Sequence, residues 1–243
     1  MNYNNFNSDS FNGSSSYDVS VNTAFPLLMR KVYVWMALAL VITGLTAYGV
    51  ASSPGLVMAI ASNRLLTYGL MFAELGLVIW LTAAINRISL PFATLLFITY
   101  SVLNGLVFSL IFLVYTMTSI ANVFFITAGT FALMAFIGYT TKTDLTSLGK
   151  MLFIALIGVI IASLVNVFLL HSTGLELIVS CISVLIFVGL TAYDAQSIKR
   201  MLAQAPDANS QMQKIALLGA LSLYLDFINL FLALLRIFGD RRS

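Results

Sequence analysis

The sequence predicts an all-α polytopic membrane protein, a bundle of seven transmembrane helices. Sixty per cent of the 243 residues are hydrophobic and only 9% are charged, whereas about 25% of the residues in a soluble domain are charged. A helix needs about 20 apolar residues to cross a bilayer, so the chain has room for roughly seven spans with short connections. No second soluble domain fits beside them.

The first 24 residues differ in composition from the rest of the chain. They are rich in Asn and Ser and have no basic stretch ahead of an apolar core, so they do not read as a cleavable signal peptide. This composition predicts a disordered polar tail over residues 1–24. A transmembrane domain over residues 25–243 follows, and its first span acts as an uncleaved signal anchor.

Seven apolar stretches follow the tail, separated by short connections that are polar or contain proline or glycine. The predicted spans are residues 32–50, 65–85, 92–115, 120–139, 151–170, 175–198 and 214–238. The longest internal connection is the polar linker 203–213.

The distribution of Lys and Arg predicts that the N-terminus lies in the cytoplasm, because cytoplasmic loops carry the excess of basic residues. On this topology eight basic residues lie inside: Arg30, Lys31, Arg87, Lys142, Lys150, Lys199, Arg200 and Lys214. Four lie outside: Arg64, Arg236, Arg241 and Arg242. Three of those four lie at the C-terminal end of the last span or just beyond it, so a re-entrant last helix that returns them to the inside is the alternative to a full crossing.

The last span carries its small and polar residues on one helical face. They are Gly219, Ser222, Asp226, Asn229, Ala233 and Arg236, and their spacing alternates between three and four residues, as one face of an α-helix requires. The other face is Leu, Ile and Phe. We therefore expect this helix to lie inside the bundle with its polar stripe towards a cavity or a partner charge.

Three carboxylates fall within the predicted spans: Glu74, Asp194 and Asp226. An ionised carboxylate at the bilayer centre costs about 3 kcal/mol on the translocon scale, so such groups face the interior, pair or take a proton. If Asp194 and Asp226 touch, they cannot both ionise freely. They would share a proton at low pH and repel each other at high pH, which makes a proton-controlled latch between the sixth and seventh helices.

Two other interpretations of these carboxylates remain open at this point. A touching pair would offer hard oxygen ligands to Ca²⁺. Alternatively, each aspartate bonds to nearby Ser, Thr or Tyr groups and only fixes helix packing. Arg87, at the inner end of the second span, either bridges to Asp194 or anchors the helix at the membrane surface. Three asparagines, Asn104, Asn166 and Asn229, predict interhelical hydrogen bonds.

Nothing in the chain indicates an enzyme or a nucleic-acid binder. The sequence has no nucleophile elbow, zinc-protease helix, phosphate-binding loop or dinucleotide fingerprint. Its basic residues do not cluster on one face, as nucleic-acid binding would require. An aspartyl intramembrane protease lacks support because Asp226 is flanked by Leu225 and Phe227 rather than by a glycine-rich setting.

Several stretches resemble the Bax-inhibitor family, the transmembrane Bax inhibitor motif proteins, in its bacterial branch. They are GLTAYDAQSIK (189–199), LSLYLDFINLFLALLRIFG (221–239) and GYTTKTDLTSLG (138–149), with further similarity at 104–116 and 156–168. The resemblance implies seven helices with the last at the centre. It also implies a pH-sensitive calcium leak controlled by Asp194 and Asp226, with Arg87 bridging to Asp194 and an acidic residue at Glu74.

The expected function is therefore a pH-sensitive calcium leak channel of the bacterial inner membrane, with the lipid bilayer, Ca²⁺ and protons as partners and no cofactor. The alternative is a regulatory binding protein for a membrane-bound protease, as some bacterial relatives are linked to such regulation. A partner of that kind could bind the polar tail, residues 1–24.

Overall fold

The structure, a computed structural model, describes residues 12–242, with side chains for residues 24–242. This part of the chain forms nine α-helices: α1 (Asn12–Ala51), α2 (Pro54–Ser62), α3 (Arg64–Ala84), α4 (Leu90–Phe108), α5 (Ile111–Val114), α6 (Met117–Thr140), α7 (Thr146–Val165), α8 (Thr173–Ala203) and α9 (Ser210–Phe238). A π-helical turn, Asn166–Leu170, continues α7.

Seven segments of the described chain are long and apolar enough to cross a membrane. They are Ala24–Ala51, Arg64–Ala84, Leu90–Val114, Met117–Thr140, Thr146–Leu170, Thr173–Ala203 and Ser210–Phe238. Each contains or closely matches one predicted span, so the predicted class, an all-α polytopic membrane protein, is confirmed.

The sixth and seventh spans extend beyond their predicted limits. The sixth was expected to end at residue 198, but α8 continues to Ala203, and α9 begins at Ser210 rather than at residue 214. The extensions contain Lys199, Arg200 and Gln211, which are good helix formers but are not apolar. Hydropathy therefore detected the apolar part of each helix and missed its polar end.

The first helix reaches into the segment predicted to be a disordered tail. It begins at Asn12 and contains Pro26, so the structure includes residues 12–24 in α1. No other proline interrupts this stretch, and the helix continues towards the N-terminus from the first span. The remaining part of the predicted tail, residues 1–11, lies outside the described residues, and its disorder stays a prediction.

Polar side chains mark where four of the helices begin. Asn63, Thr116, Ser172 and Asn209 each accept a hydrogen bond from the backbone N–H three residues later, at 3.1, 3.3, 3.3 and 3.0 Å. These N-caps satisfy donors that the first turn of a helix cannot pair internally. The short connections of the bundle thus carry their own start signals for α3, α6, α8 and α9.

The last helix forms the centre of the bundle, as predicted. It packs against α1, α4, α6 and α8, and Leu223, Tyr224 and Leu230 are completely buried. By contrast, α7 packs mainly against α8 and has no buried residue in its apolar core segment. Most of α9 is therefore surrounded by protein, while α7 faces lipid.

The C-terminal residues fix the direction of the last helix. The backbone of Asp240 accepts from Thr116 N at 3.1 Å, and Arg242 N donates to Val114 O at 2.9 Å. Arg241 lies 4.0 Å from Glu176 in the first turn of α8. The C-terminus therefore sits at the end of the bundle where α6 and α8 begin, which we call the tail end, and α9 crosses fully. The re-entrant alternative is wrong.

The opposite end of the bundle holds the connections that carry most of the basic residues. Lys31 donates to the side chain of Gln213 at 2.7 Å, and Gln211 donates to Asn86 at 3.0 Å. The loop between α6 and α7, residues 141–145, lies at this end too. We call it the loop end, and the positive-inside rule predicts that it faces the cytoplasm.

This orientation gives a testable prediction for labelling in intact cells. With Cys181→Ser removing the single cysteine, a cysteine at exposed Arg242 should react with a membrane-impermeant thiol reagent. A cysteine at exposed Lys142 should react only after permeabilisation, because the two positions lie at opposite ends of the bundle. Equal labelling of both in intact cells would contradict seven crossings, and the reversed pattern would contradict the orientation.

Candidate functional site

The candidate site lies between α8 and α9. The two helices run antiparallel, and a Cβ added at Gly219 would lie 3.1 Å from the side chain of Ile198. One helical turn along, the Ser222 hydroxyl donates a hydrogen bond to Asp194. Asp226 follows one further turn along α9. The small residue at 219 thus lets the helices meet, and their register places two aspartates together.

Asp194 and Asp226 are neighbours across the α8–α9 contact: they lie within electrostatic reach of each other and line the same cavity. Two neighbouring carboxyl groups cannot both ionise freely, so this arrangement favours a shared proton. Asp226 is only 5% exposed, and its Oδ2 is buried with no hydrogen-bond partner among the described residues. The sequence left open whether these residues meet; in the structure they are neighbours.

The interpretation that each aspartate only fixes helix packing fits one of the two. Asp194 does accept a hydrogen bond from a serine, Ser222. Asp226 has no Ser, Thr or Tyr partner among the described residues; what faces it is the other carboxyl group. A buried oxygen without a hydrogen-bond partner destabilises the fold, so a role in packing alone does not explain an aspartate at position 226.

Two cavities meet at the aspartate pair. One, of about 520 Å³, extends towards the tail end, and the other, of about 410 Å³, extends towards the loop end. Asp194 and Ser222 line both. A third cavity, of about 360 Å³, shares Ser163 and Arg236 with the first and continues to His171 and Glu176 at the tail end. The pair therefore stands between a cavity route to the tail end and a separate cavity at the loop end.

The polar stripe of α9 lines these cavities, as predicted from its spacing. Gly219 and Ser222 line the loop-end cavity. Ser222, Asp226, Asn229, Ala233 and Arg236 line the tail-end cavity. Apart from the aspartates, Arg236 is the only charged residue in that lining. With both aspartates ionised, the wall would carry a net charge of about −1.

Glu74 does not join the aspartate pair. It lies on α3, half-buried, and its Oε1 is buried without a hydrogen-bond partner among the described residues. It is within electrostatic reach of Tyr100 and Tyr224, while its neighbour Leu75 is the α3 residue that lines the cavity. A supporting role for Glu74 stays a prediction, and any such role would act at a distance from the pair.

The predicted bridge from Arg87 to Asp194 is wrong for this structure. Arg87 is exposed in the turn after α3, which ends at Ala84. Within the described chain the ion pairs are Arg200 with Asp144 and Arg241 with Glu176. Because α8 continues to Ala203, Asp194 lies about 14 Å along the helix from its C-terminal end. Arg87, in the turn after α3, is at the surface. A surface anchor is the remaining interpretation of Arg87.

The three asparagines in the spans bond locally instead of between helices. Asn104 donates to Tyr100 of the same helix at 3.1 Å, and Asn229 donates to the Leu225 carbonyl at 2.8 Å. Asn166 exchanges two hydrogen bonds with the backbone of Ser172, at 3.1 and 2.9 Å. Short amide side chains reach nearby backbone and side-chain groups readily, and here that local option prevails.

Sequence analysis missed one buried polar contact between helices. The Thr43 hydroxyl of α1 donates to the Ser101 carbonyl of α4 at 2.9 Å, and it lies 2.7 Å from the Tyr224 hydroxyl of α9. All three residues are buried. Threonines in spans usually bond their own helix, as Thr191 does, so no pattern distinguished Thr43. This contact ties α9 to α1 and α4.

One acidic residue near the site is excluded as a proton switch. In the α6–α7 loop, the Thr146 hydroxyl, the Thr146 backbone N–H and Arg200 stabilise the Asp144 carboxylate and lower its pKa to about 2. Asp144 is exposed and therefore stays ionised at any physiological pH. Asp144 therefore does not contribute to a proton switch formed by the pair on α8 and α9.

The pair is not assigned as a resident calcium site. No group of three or more His, Cys, Asp or Glu residues comes together in the described part of the chain. Ca²⁺ takes six to eight oxygen ligands, whereas the polar side chains beside the pair are Ser222 and Asn229. In this setting Ca²⁺ would be cargo rather than a bound cofactor.

The fold and the site together define a class: a polytopic helical membrane protein whose central helix carries half of a buried carboxyl pair. Residues 26–243 match the family described as Inhibitor of apoptosis-promoting Bax1. The chain belongs to this Bax inhibitor family, which confirms the resemblance seen in its motifs.

Several bacterial proteins are similar to the chain over most of its length. The inner membrane protein YbhL of Escherichia coli (strain K12) is 51% identical over 215 residues, which cover 88% of this chain and 92% of that protein. An uncharacterized protein of Borreliella burgdorferi is 44% identical over 215 residues, which also cover 88% of this chain and 92% of that protein. An uncharacterized membrane protein of Streptococcus pyogenes serotype M1 is 38% identical over 91% and 94% of the two chains.

The regulatory alternative gains no support from the site. It depended on residues 1–24 as a segment that a protease could bind, and residues 1–11 of that segment lie outside the described part of the chain. It stays a prediction from the sequence.

Proposed function

We propose that the protein is a pH-sensitive cation leak, with Ca²⁺ as its cargo, and that the Asp194–Asp226 pair is its gate. The observation that carries this proposal is the pair of neighbouring carboxyl groups between two cavities, both of which Asp194 lines. Family membership supports it, since the family resemblance implies such a leak. The activity is passive transport and needs neither enzyme chemistry nor a cofactor.

The proposed gate works through the shared proton. While one proton joins the two carboxyl groups, α8 and α9 stay together and the cavities remain separate. Loss of that proton leaves two like charges in contact, which repel by about 4 kcal/mol at 4 Å and an effective dielectric constant of 20. The helices then separate at this point, and the two carboxylates attract a cation. Flux should therefore be low at acidic pH and rise as the pH is raised.

The proposal includes a location and an orientation. The Escherichia coli relative is named an inner membrane protein, and we place this protein in the bacterial inner membrane as well. The basic residues at the loop end favour a cytoplasmic N-terminus. The loop-end cavity would then open to the cytoplasm, and the chain of cavities that passes Arg236 would open to the outside.

Reconstitution tests this function directly. The purified protein is placed in liposomes that contain a Ca²⁺ indicator, Ca²⁺ is added outside, and the initial flux is measured over a series of pH values. We expect flux above that of protein-free liposomes, with a rise towards alkaline pH. As a matched charge control, Asp207→Asn in the exposed α8–α9 linker should leave the profile unchanged.

Two results would overturn the proposal. Folded, monodisperse protein that gives no Ca²⁺ flux at any pH would exclude a leak. Flux that is the same at all pH values would exclude a proton-controlled gate.

A further inference from the structure

A buried glutamine connects the α6–α7 loop to the helix that carries Asp194. Gln196 is 4% exposed. Its Nε2 donates to the Thr143 carbonyl at 2.7 Å, and its Oε1 accepts from the Leu145 N–H at 2.9 Å. Both partners are backbone groups of the loop, just before α7 begins at Thr146. One amide thus supplies the donor and the acceptor that this piece of backbone lacks.

Further contacts hold the same face of α8. Lys199 donates to the Tyr139 carbonyl at 2.7 Å and lies over the Tyr139 ring at 4.7 Å. Arg200 pairs with Asp144 at 2.7 Å. Residues 199 and 200 lie three and four positions after residue 196, so all three residues share one face of α8. The ion pair is exposed on both sides, whereas the amide contact is buried, so the amide contact is the stronger constraint.

This anchored face lies opposite the aspartate. Two residues along an α-helix correspond to a rotation of about 200°, so Asp194 points away from the loop and towards α9. Nearby, Tyr193 packs against Gly149 of α7 and Ala192 against Gly138 of α6. The loop-end half of α8 is therefore fixed to α6, the loop and α7 on one side, and meets α9 through Asp194 on the other.

We propose that Gln196 is a positioning residue for the gate: through the α6–α7 loop it fixes the register of α8, which holds Asp194 against Ser222 and Asp226. This inference rests on the proposed gating function. It makes the loop part of the gate, although no loop side chain touches either aspartate. Displacing the loop would then weaken the closed arrangement without any change at the carboxyl groups.

The test compares Gln196→Met with Gln213→Met. Methionine has about the same length as glutamine but offers neither a strong donor nor a strong acceptor, so the apolar packing is kept. Gln213 is the matched control, because it is also a loop-end glutamine with two hydrogen-bond partners, Lys31 and the Ala208 carbonyl, but it does not contact the loop.

Two measurements are made on each variant. Hydrogen exchange of a peptide spanning residues 141–146 should be roughly tenfold faster in Gln196→Met, since the Leu145 amide loses its partner, and unchanged in Gln213→Met. Ca²⁺ flux of Gln196→Met should begin at a lower pH than in the wild type, because the closed arrangement is weakened. Gln213→Met should keep the wild-type profile.

The outcomes separate this inference from the proposed function. Faster loop exchange with an unchanged pH profile would mean that Gln196 is merely structural, and would overturn the inference. Unchanged loop exchange would overturn it as well. If the wild type shows no flux, the proposed function fails, and the infrared carbonyl band of the protonated carboxyl pair then serves as the readout. Altered pH dependence of that band in Gln196→Met alone would still support the positioning role, and no alteration would exclude it.

Discussion

Replacing Asp226 by asparagine is expected to give a protein whose Ca²⁺ flux no longer depends on pH. The asparagine amide can donate to Asp194 at any pH, so the contact between α8 and α9 no longer needs a titratable proton. In the wild type, about 1.4 kcal/mol of repulsion suffices to shift the gating equilibrium tenfold, so we expect a change of about tenfold or more between acidic and alkaline pH. The variant should stay near the acidic wild-type level throughout.

Asp194→Asn should behave in the same way, because either partner can supply the amide. The infrared band of a protonated carboxyl pair should disappear in both variants. Ser222→Ala is the informative comparison: it removes a hydrogen bond to Asp194 but keeps both carboxyl groups, so pH dependence should persist with a shifted midpoint. If either asparagine variant keeps the full wild-type pH response, the pair is not the gate.

The second large effect is expected from Gly138→Ala, which should strongly destabilise the folded protein. A Cβ at this position would overlap the carbonyl oxygen of Ala192 on α8, and backbone on both sides leaves no flexible side chain to move away. Overpacking of this kind costs about 3 kcal/mol when the site cannot relax. The measurement is the apparent melting temperature in detergent, followed by fluorescence-detected size-exclusion chromatography.

Gly129→Ala is the matched control for this prediction. Gly129 lies on the same helix, α6, and nothing lies within 4 Å of a Cβ placed there. Alanine should therefore leave the melting temperature unchanged or raise it slightly, because alanine favours a helix by about 1 kcal/mol over glycine. Equal effects at the two positions would contradict the close approach of α6 and α8.

The architecture of the protein could be predicted from its sequence because hydropathy and helical spacing are local signals. The seven spans and the cavity-facing stripe that contains Asp226 follow from such signals, whereas the central position of α9 was implied by the family resemblance. The stripe was detectable because a helix in lipid tolerates polar residues only on a protected face. These features need no knowledge of which helices are neighbours.

The contacts of the site depended on information that is not local. Counting from the predicted end of the sixth span placed Asp194 about five residues too close to the end of its helix, and this made a bridge from Arg87 look accessible. The Gln196 contact with the loop and the Thr43 contact with Tyr224 join residues that are 51 or more positions apart. Only the packing of the helices determines such pairs.

The central position of the last helix also has a consequence for biosynthesis. The ribosome completes α9 after the six other spans have left it, so the helix that fills the middle of the bundle is the final one to reach the membrane. Until then α1, α4, α6 and α8 have no common partner to pack on, and Asp194 has no second carboxyl group. Assembly of the interior and of the proposed gate therefore comes after the synthesis of the six other spans.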